Sequence, residues 1–145
     1  MNNSIKVVGA ILYQNDGIIF GRRSYFSKSF PGLLEFPGGK IENNESSKEA
    51  LIRELKEELD IDVKEQDIFE FEGNESIHSL DNNGKNIHLF LYIVNKWTNT
   101  PIIKEGIHDE LKHIYLNDLD TIKDMIPGDQ IFIPKIKNFV NKKLK

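Results

Sequence analysis

Residues 39–61 read GKIENNESSKEALIRELKEELDI. On a helix, successive side chains step by about 100°. Measured from Glu54, Glu57 then lies about 60° to one side and Glu58 about 40° to the other. Leu51, Ile52, Leu55 and Leu59 fall on the adjoining arc, the face a helix turns toward a core. The spacing therefore predicts a helix over 47–59 with three carboxylates at the rim of a buried stripe. Like charges at this spacing repel unless something compensates them. A hard divalent cation such as Mg²⁺ is a natural compensator, because it takes oxygen ligands and tolerates bound phosphate. An ordinary solvated Glu/Lys face is the plainer reading of RELKEEL alone.

The flanks favour a site. Phe36-Pro37-Gly38-Gly39 stands before the helix and predicts a tight turn whose backbone can approach a ligand closely. Ser46 and Glu49 have the spacing of a capping box, which starts the helix at Ser47.

Gly39, Glu45, Arg53, Glu54, Leu55, Glu57, Glu58 and Ile61 together resemble the signature of the Nudix hydrolase family. Asp60 stands where that family usually has glycine. The glycine would end the helix in a left-handed conformation, which Asp adopts at a cost of about 1 kcal/mol. Leu34-Glu35-Phe36-Pro37-Gly38-Gly39-Lys40-Ile41-Glu42 is similar to the MutT-like branch, the nucleoside triphosphate pyrophosphohydrolases. Looser likeness extends to Trp97, Lys104-Glu105-Gly106 and Ile126-Pro127-Gly128-Asp129.

The resemblance implies one Nudix domain over residues 1–145, an α/β/α sandwich with a mixed sheet; periodicity alone supports only mixed α and β. It implies Mg²⁺, or Mn²⁺ in its place, held by Glu54, Glu57, Glu58, the carbonyl of Gly38 and Glu105. Arg53 would orient a carboxylate by charge-assisted hydrogen bonding, unless it is an ordinary surface arginine. Glu45 would tie its loop to Arg53 or the metal shell, or serve only the helix N-terminus. The water-activating base is left between Glu54 and Glu105, with Glu110 a second distant candidate and Glu57 tested beside them. Arg23 resembles a phosphate-contacting residue of the branch, and Lys40 is a second cation beside the turn. Leu34 and Phe36 could wall a base pocket with Gly39 at its edge, or belong to the core. Asp129 aligns with a base-reading position that is usually Asn, or caps the last helix; ionised, it accepts hydrogen bonds only.

The activity so implied is hydrolysis of an oxidised or otherwise non-standard nucleoside triphosphate to a monophosphate and pyrophosphate, with water attacking the β-phosphorus. The alternatives are hydrolysis of another nucleoside-diphosphate-linked compound, such as a sugar nucleotide or dinucleoside polyphosphate, and a nucleotide-sensing module without turnover.

Composition is consistent with this. The chain has 145 residues, 39% hydrophobic and 29% charged, enough for one domain with a real core. The net charge of −4 gives no general attraction to nucleic acid or membranes, so no stable nucleic-acid partner is expected and polyanionic substrates must meet local cations. With no cysteine, disulfides, thiolate nucleophiles and zinc–thiolate centres are excluded. No signal-peptide pattern opens the sequence and no stretch is apolar enough to span a bilayer, so a cytoplasmic monomer or homodimer is expected.

Strands are expected over 5–13, 18–22, 33–36, 67–79, 86–97 and 110–116, with a hairpin at Asn15-Asp16-Gly17, another turn at Asp81–Gly84 and a loop over 24–32. A short helix near 118–123 capped by Asn117, and a final helix over 131–142 with Pro134 in its first turn, complete the reading.

Overall fold

A computed structural model describes residues 4–79, 86–104 and 108–144. A mixed sheet carries the fold. β1 (Ser4–Gln14) and β2 (Gly17–Arg23) form a hairpin whose two loop residues, Asn15 and Asp16, both take left-handed φ values of 52° and 59°. That pair of conformations matches the twist of the flanking strands. β3 (Leu34–Glu35) lies on β2, and β4 (Gly38–Lys40) lies on β1. Beyond α1 (Ser47–Leu59) come β5 (Ile68–Phe69), β6 (Glu75–Ser79) and β7 (Asn86–Val94). β8 (His108–Tyr115) returns to the outer side of β2. The main strand order is β3-β2-β1-β7-β5, and β1 and β7 are parallel, from Ser4 beside Asn86 to Leu12 beside Val94.

β1 changes partner along its length. Leu12–Gln14 pair with β2, whereas Val7–Gly9 pair with β4. A cleft lies on the β4 side of that change, beside Val7–Gly9 and Gly38–Lys40.

Both faces of the sheet are covered, because β1 and β7 are apolar on both sides. α1 lays Ala50, Leu51, Leu55 and Leu59 against Val8, Ala10, Leu12 and Tyr92. On the opposite face α3 (Ile133–Phe139) and the wider turns of Val140–Leu144 pack Ile133, Ile136 and Val140 on Ile11, Phe20, Leu91 and Ile93. The result is the expected α/β/α sandwich. No helix among the described residues is long and apolar enough to cross a membrane.

The predicted ends of α1 are present in detail. Glu49 N–H donates to Ser46 Oγ at 3.1 Å, and Ser46 N–H donates to Glu49 Oε1 at 2.9 Å. Asp60 ends the helix at φ 58°, doing there what glycine would do, and Lys56 Nζ stands 3.3 Å from its carboxylate.

Four local expectations are corrected. Pro37-Gly38-Gly39 is not a tight turn: after a bend at Pro37, both glycines are extended in β4. The 67–79 strand is two strands, interrupted around Gly73, whose φ is +72°. Asn117 caps nothing, since the 3-10 turn Leu116–Thr121 already contains it. The last helix is divided into α2 (Pro127–Gln130) and α3, with Pro134 in the first turn of α3 as expected. The turn expected at Asp81–Gly84 lies outside the described residues.

Candidate active site

The three carboxylates of α1 are graded by depth. Glu57 is exposed, Glu54 is half-buried, and Glu58 is buried among the residues that face the sheet. The helix phase accounts for this: Glu58 lies beside Leu55 and Leu51 on the inner arc. Burial first, then the charges of Glu54 and Glu35, push the Glu58 carboxyl up to about 8. The backbone N–H of Gly38 works against that rise by donating to it. Burial raises Glu54 as well, opposed by its bond to Arg53. Glu58 Oε2 is buried without a hydrogen-bond partner, and such a group is costly unless something arrives to satisfy it.

The glycines of β4 make this arrangement possible. A Cβ on Gly38 would overlap the carbonyl of Val8, and one on Gly39 would occupy the place of the Glu54 carboxylate. Both glycines are required for the missing side chain, not for a left-handed backbone.

Arg53 organises the polar rim. Its Nε and Nη2 donate to the two oxygens of Glu45 at 3.1 and 2.7 Å. Nη1 donates to Glu54 at 3.0 Å and to Glu57 at 3.2 Å, and Nη2 also reaches the carbonyl of Lys40 at 3.0 Å. Glu45 also accepts from the N–H of Glu42 at 2.8 Å, and its carboxyl is held below its ordinary range, chiefly by Arg53. The loop, β4 and α1 are thus joined through one guanidinium.

Glu54 and Glu58 line a cleft of about 890 Å³, with Arg23, Glu35, Phe36, Gly38, Gly39, Lys40 and Asp129 on its other walls. Asp129 is buried; it accepts from Phe36 N–H at 3.0 Å rather than capping a helix. Burial pushes its carboxyl up to about 8, and the nearby Glu35 charge adds to the rise. Phe36 serves wall and core together, packing on Phe20 with ring centres 5.2 Å apart and planes tilted by 31°. Leu34 is wholly in the core.

Glu110 is drawn to Arg22, which also binds Asp124, and does not line the cleft. Glu105 lies outside the described residues; Lys104, just before it, donates its N–H to the Glu58 carbonyl at 2.8 Å.

Sequence reading missed one group. Glu35 accepts from Arg23 Nη1 at 3.2 Å on both oxygens and sits 2.7 Å from His108 Nε2. In the sequence Glu35 carries no role beyond its place in the Leu34–Glu42 likeness. His108 gives no local signal, because its contact with Glu35 spans 73 residues and depends on the pairing of β2 with β8.

Oxygen-only donors with an orphaned carboxylate oxygen suit a hard divalent cation. Among the described residues no three acidic or histidine side chains converge on one point. Glu57, the third carboxylate of the helix, is turned to Arg53 instead.

Residues 4–136 match the family model described as NUDIX domain. The chain is 32% identical over 130 residues to an 8-oxo-dGTP diphosphatase of Escherichia coli, covering 90% of this chain and 93% of that one. It is 38% identical over 90 residues to a CTP pyrophosphohydrolase of the same organism, covering 62% of each. A MutT protein structure from Methanosarcina mazei superposes with a TM-score of 0.81 at 21% identity, covering 98% of both chains, a likeness of fold.

Proposed function

The chain belongs to the Nudix family, and on that premise we propose that it hydrolyses nucleoside triphosphates to a nucleoside monophosphate and pyrophosphate, in the cytoplasm and with divalent metal. One observation carries the reading: the buried Glu58 beside the half-buried, like-charged Glu54, one Glu58 oxygen unpartnered, in a cleft large enough for a nucleotide.

Glu54, Glu57 and Glu58 would hold the cation, with the Gly38 carbonyl and Glu105 as further ligands suggested by family resemblance. When bound, it supplies charge neutralisation for the polyphosphate and lowers the pKa of water. The chain's own residues do the rest. Arg53 keeps Glu54 oriented and Glu45 holds Arg53. Arg23 and Lys40 add positive charge to the cleft walls. Glu54 or Glu105 takes the proton from the attacking water. Phosphoryl transfer needs little more than such positioning and charge compensation.

Asp129 bears on the base. With its carboxyl pushed up to about 8, the neutral acid prevails at pH 7. It then keeps an O–H donor beside its acceptors, close to the donor–acceptor set of Asn. An Asp129 that can donate as well as accept supports recognition of a purine such as 8-oxo-guanine.

The test is a panel of normal and oxidised nucleotides, nucleotide sugars and dinucleoside polyphosphates with Mg²⁺ or Mn²⁺, run in H₂¹⁸O. The expected result is pyrophosphate from a triphosphate, with the label in pyrophosphate, as attack on the β-phosphorus requires. Turnover confined to nucleotide sugars or dinucleoside polyphosphates would overturn the substrate assignment. Binding without any product would overturn the enzymatic one.

A further inference from the structure

We propose that His108 is a positioning residue for nucleotide binding, acting through Glu35 on the cleft wall. The inference rests on reading the cleft as a nucleotide site.

The strand pairing delivers His108 to Glu35. Along β2 and β8 the register runs Gly21 to Leu111 and Arg22 to Glu110, then slips so that His108, not Asp109, stands opposite Arg23. Such an irregularity re-aims a side chain, and commonly does so beside active sites. The imidazole then lies over Gly21, where a Cβ would come within 2.8 Å of three ring atoms. His108 is the one buried residue of β8, its side chain 3% exposed. Nε2 is 2.7 Å from Glu35 Oε2.

Glu35 needs that second hold. Its charge acts on Glu58 on one side and on Asp129 on the other. Arg23 Nη1 alone spans its two oxygens, both at 3.2 Å. Arg23 in turn donates from Nε to the Ser29 carbonyl at 3.0 Å and from Nη2 to Ser29 Oγ at 3.2 Å. Phe30, the next residue, lines the cleft. One hydrogen-bonded series therefore runs from His108 through Glu35 and Arg23 to the loop at the cleft mouth. Releasing Glu35 frees groups that nucleotide binding must order again, and that ordering weakens affinity.

The experiment uses His108→Leu, His108→Asn, His108→Gln, Glu35→Ala and the double variant His108→Leu/Glu35→Ala. Calorimetric binding of 8-oxo-dGMP, dGMP and CMP without added metal is measured beside KM, kcat and the melting temperature. Loss of a hydrogen bond to a charged group predicts about tenfold weaker binding and about tenfold higher KM for His108→Leu and His108→Asn. Their kcat should stay within about twofold of the wild type, since the bond is not one made only in the transition state. His108→Gln, with an amide N–H within reach of Glu35, restores affinity. In the Glu35→Ala background the leucine substitution has no further effect. Should His108→Leu not fold, His108→Asn carries the comparison.

Unchanged affinity in all three His108 variants, or additive effects in the double variant, overturns the proposal. So does a fall in kcat and melting temperature that His108→Gln leaves unrescued. Wild-type binding without turnover overturns the enzymatic reading and leaves this inference standing. A wild type that binds none of the three monophosphates yet hydrolyses a triphosphate overturns this inference alone, and one that does neither overturns both.

Discussion

Arg53 and Glu45 meet in a two-pronged ion pair, Nη2 to Oε1 at 2.7 Å and Nε to Oε2 at 3.1 Å, across eight residues of chain. Geometry of this kind needs a planar guanidinium, and lysine cannot reproduce it. Arg53→Lys keeps the charge but releases Glu45, and with it the loop before α1 and the fixed orientation of Glu54. We expect kcat to fall by roughly 10- to 100-fold with a smaller change in KM, because positioning is lost rather than substrate contact. Steady-state kinetics check this; a KM effect alone would place Arg53 in binding instead.

Gly38 and Gly39 separate stability from activity. At Gly38 a methyl group meets the rigid Val8 carbonyl, so Gly38→Ala must push β4 off β1. Overpacking against backbone predicts a loss of about 2–3 kcal/mol or more in chemical denaturation. At Gly39 the methyl meets the movable Glu54 carboxylate. Gly39→Ala should therefore lose turnover by at least about tenfold while its denaturation midpoint moves much less. Equal stability losses in both would contradict the distinction.

Glu57 and Glu58 have different surroundings and predict different variants. Glu57→Gln removes an exposed carboxylate already shared with Arg53. As loss of a metal ligand or base, it should cost roughly 100-fold or more in turnover. Glu58→Gln should cost at least as much, yet stabilise the metal-free protein at pH 9, where wild-type Glu58 must carry a buried charge. Thermal melts in chelator at pH 9, beside turnover with Mg²⁺, check both. Near-normal turnover of Glu57→Gln would remove it from the ligand set.

The boundaries of α1 were legible because they are local: Ser46, Glu49 and Asp60 act on neighbours within a few residues. The polar grip of Arg53 was legible in part, since Glu54 and Glu57 share its helix face. Pairing across the chain was not. Nothing in residues 4–14 announces that β1 runs parallel to β7, or that it changes partner near Gly9. Pro37-Gly38-Gly39 reads as a turn because glycine and proline dominate turns, but these glycines serve a close strand approach. Helix phase put Glu58 only at the rim of the buried stripe with Glu54 and Glu57, and its full burial shows in the packed structure; burial of Asp129 depends on Phe36, 93 residues away in sequence. His108 and Glu35 became visible only once a slipped register had brought them together.

That buried Asp129 makes stability depend on pH in a stated direction. Its carboxyl rises from an ordinary 3.8 to about 8 on folding, chiefly because burial disfavours the anion. Between those values the folded state binds more protons than the unfolded chain, so stability falls as pH rises. The contribution is full below about pH 4 and is lost progressively as pH climbs through about 8. Glu45 and Asp124, both held below their ordinary values by arginine, act oppositely and cost stability on acidification. The wild-type profile therefore mixes the two signs, and comparison with Asp129→Asn isolates one. The amide keeps an acceptor for Phe36 N–H and cannot ionise. In metal-free protein, Asp129→Asn should gain on the wild type between pH 5 and pH 8, by roughly 5 °C or more in melting temperature at the alkaline end. A difference that stays constant over that range would show that Asp129 titrates alike in the folded and unfolded chain, and would return it to the ionised, acceptor-only state.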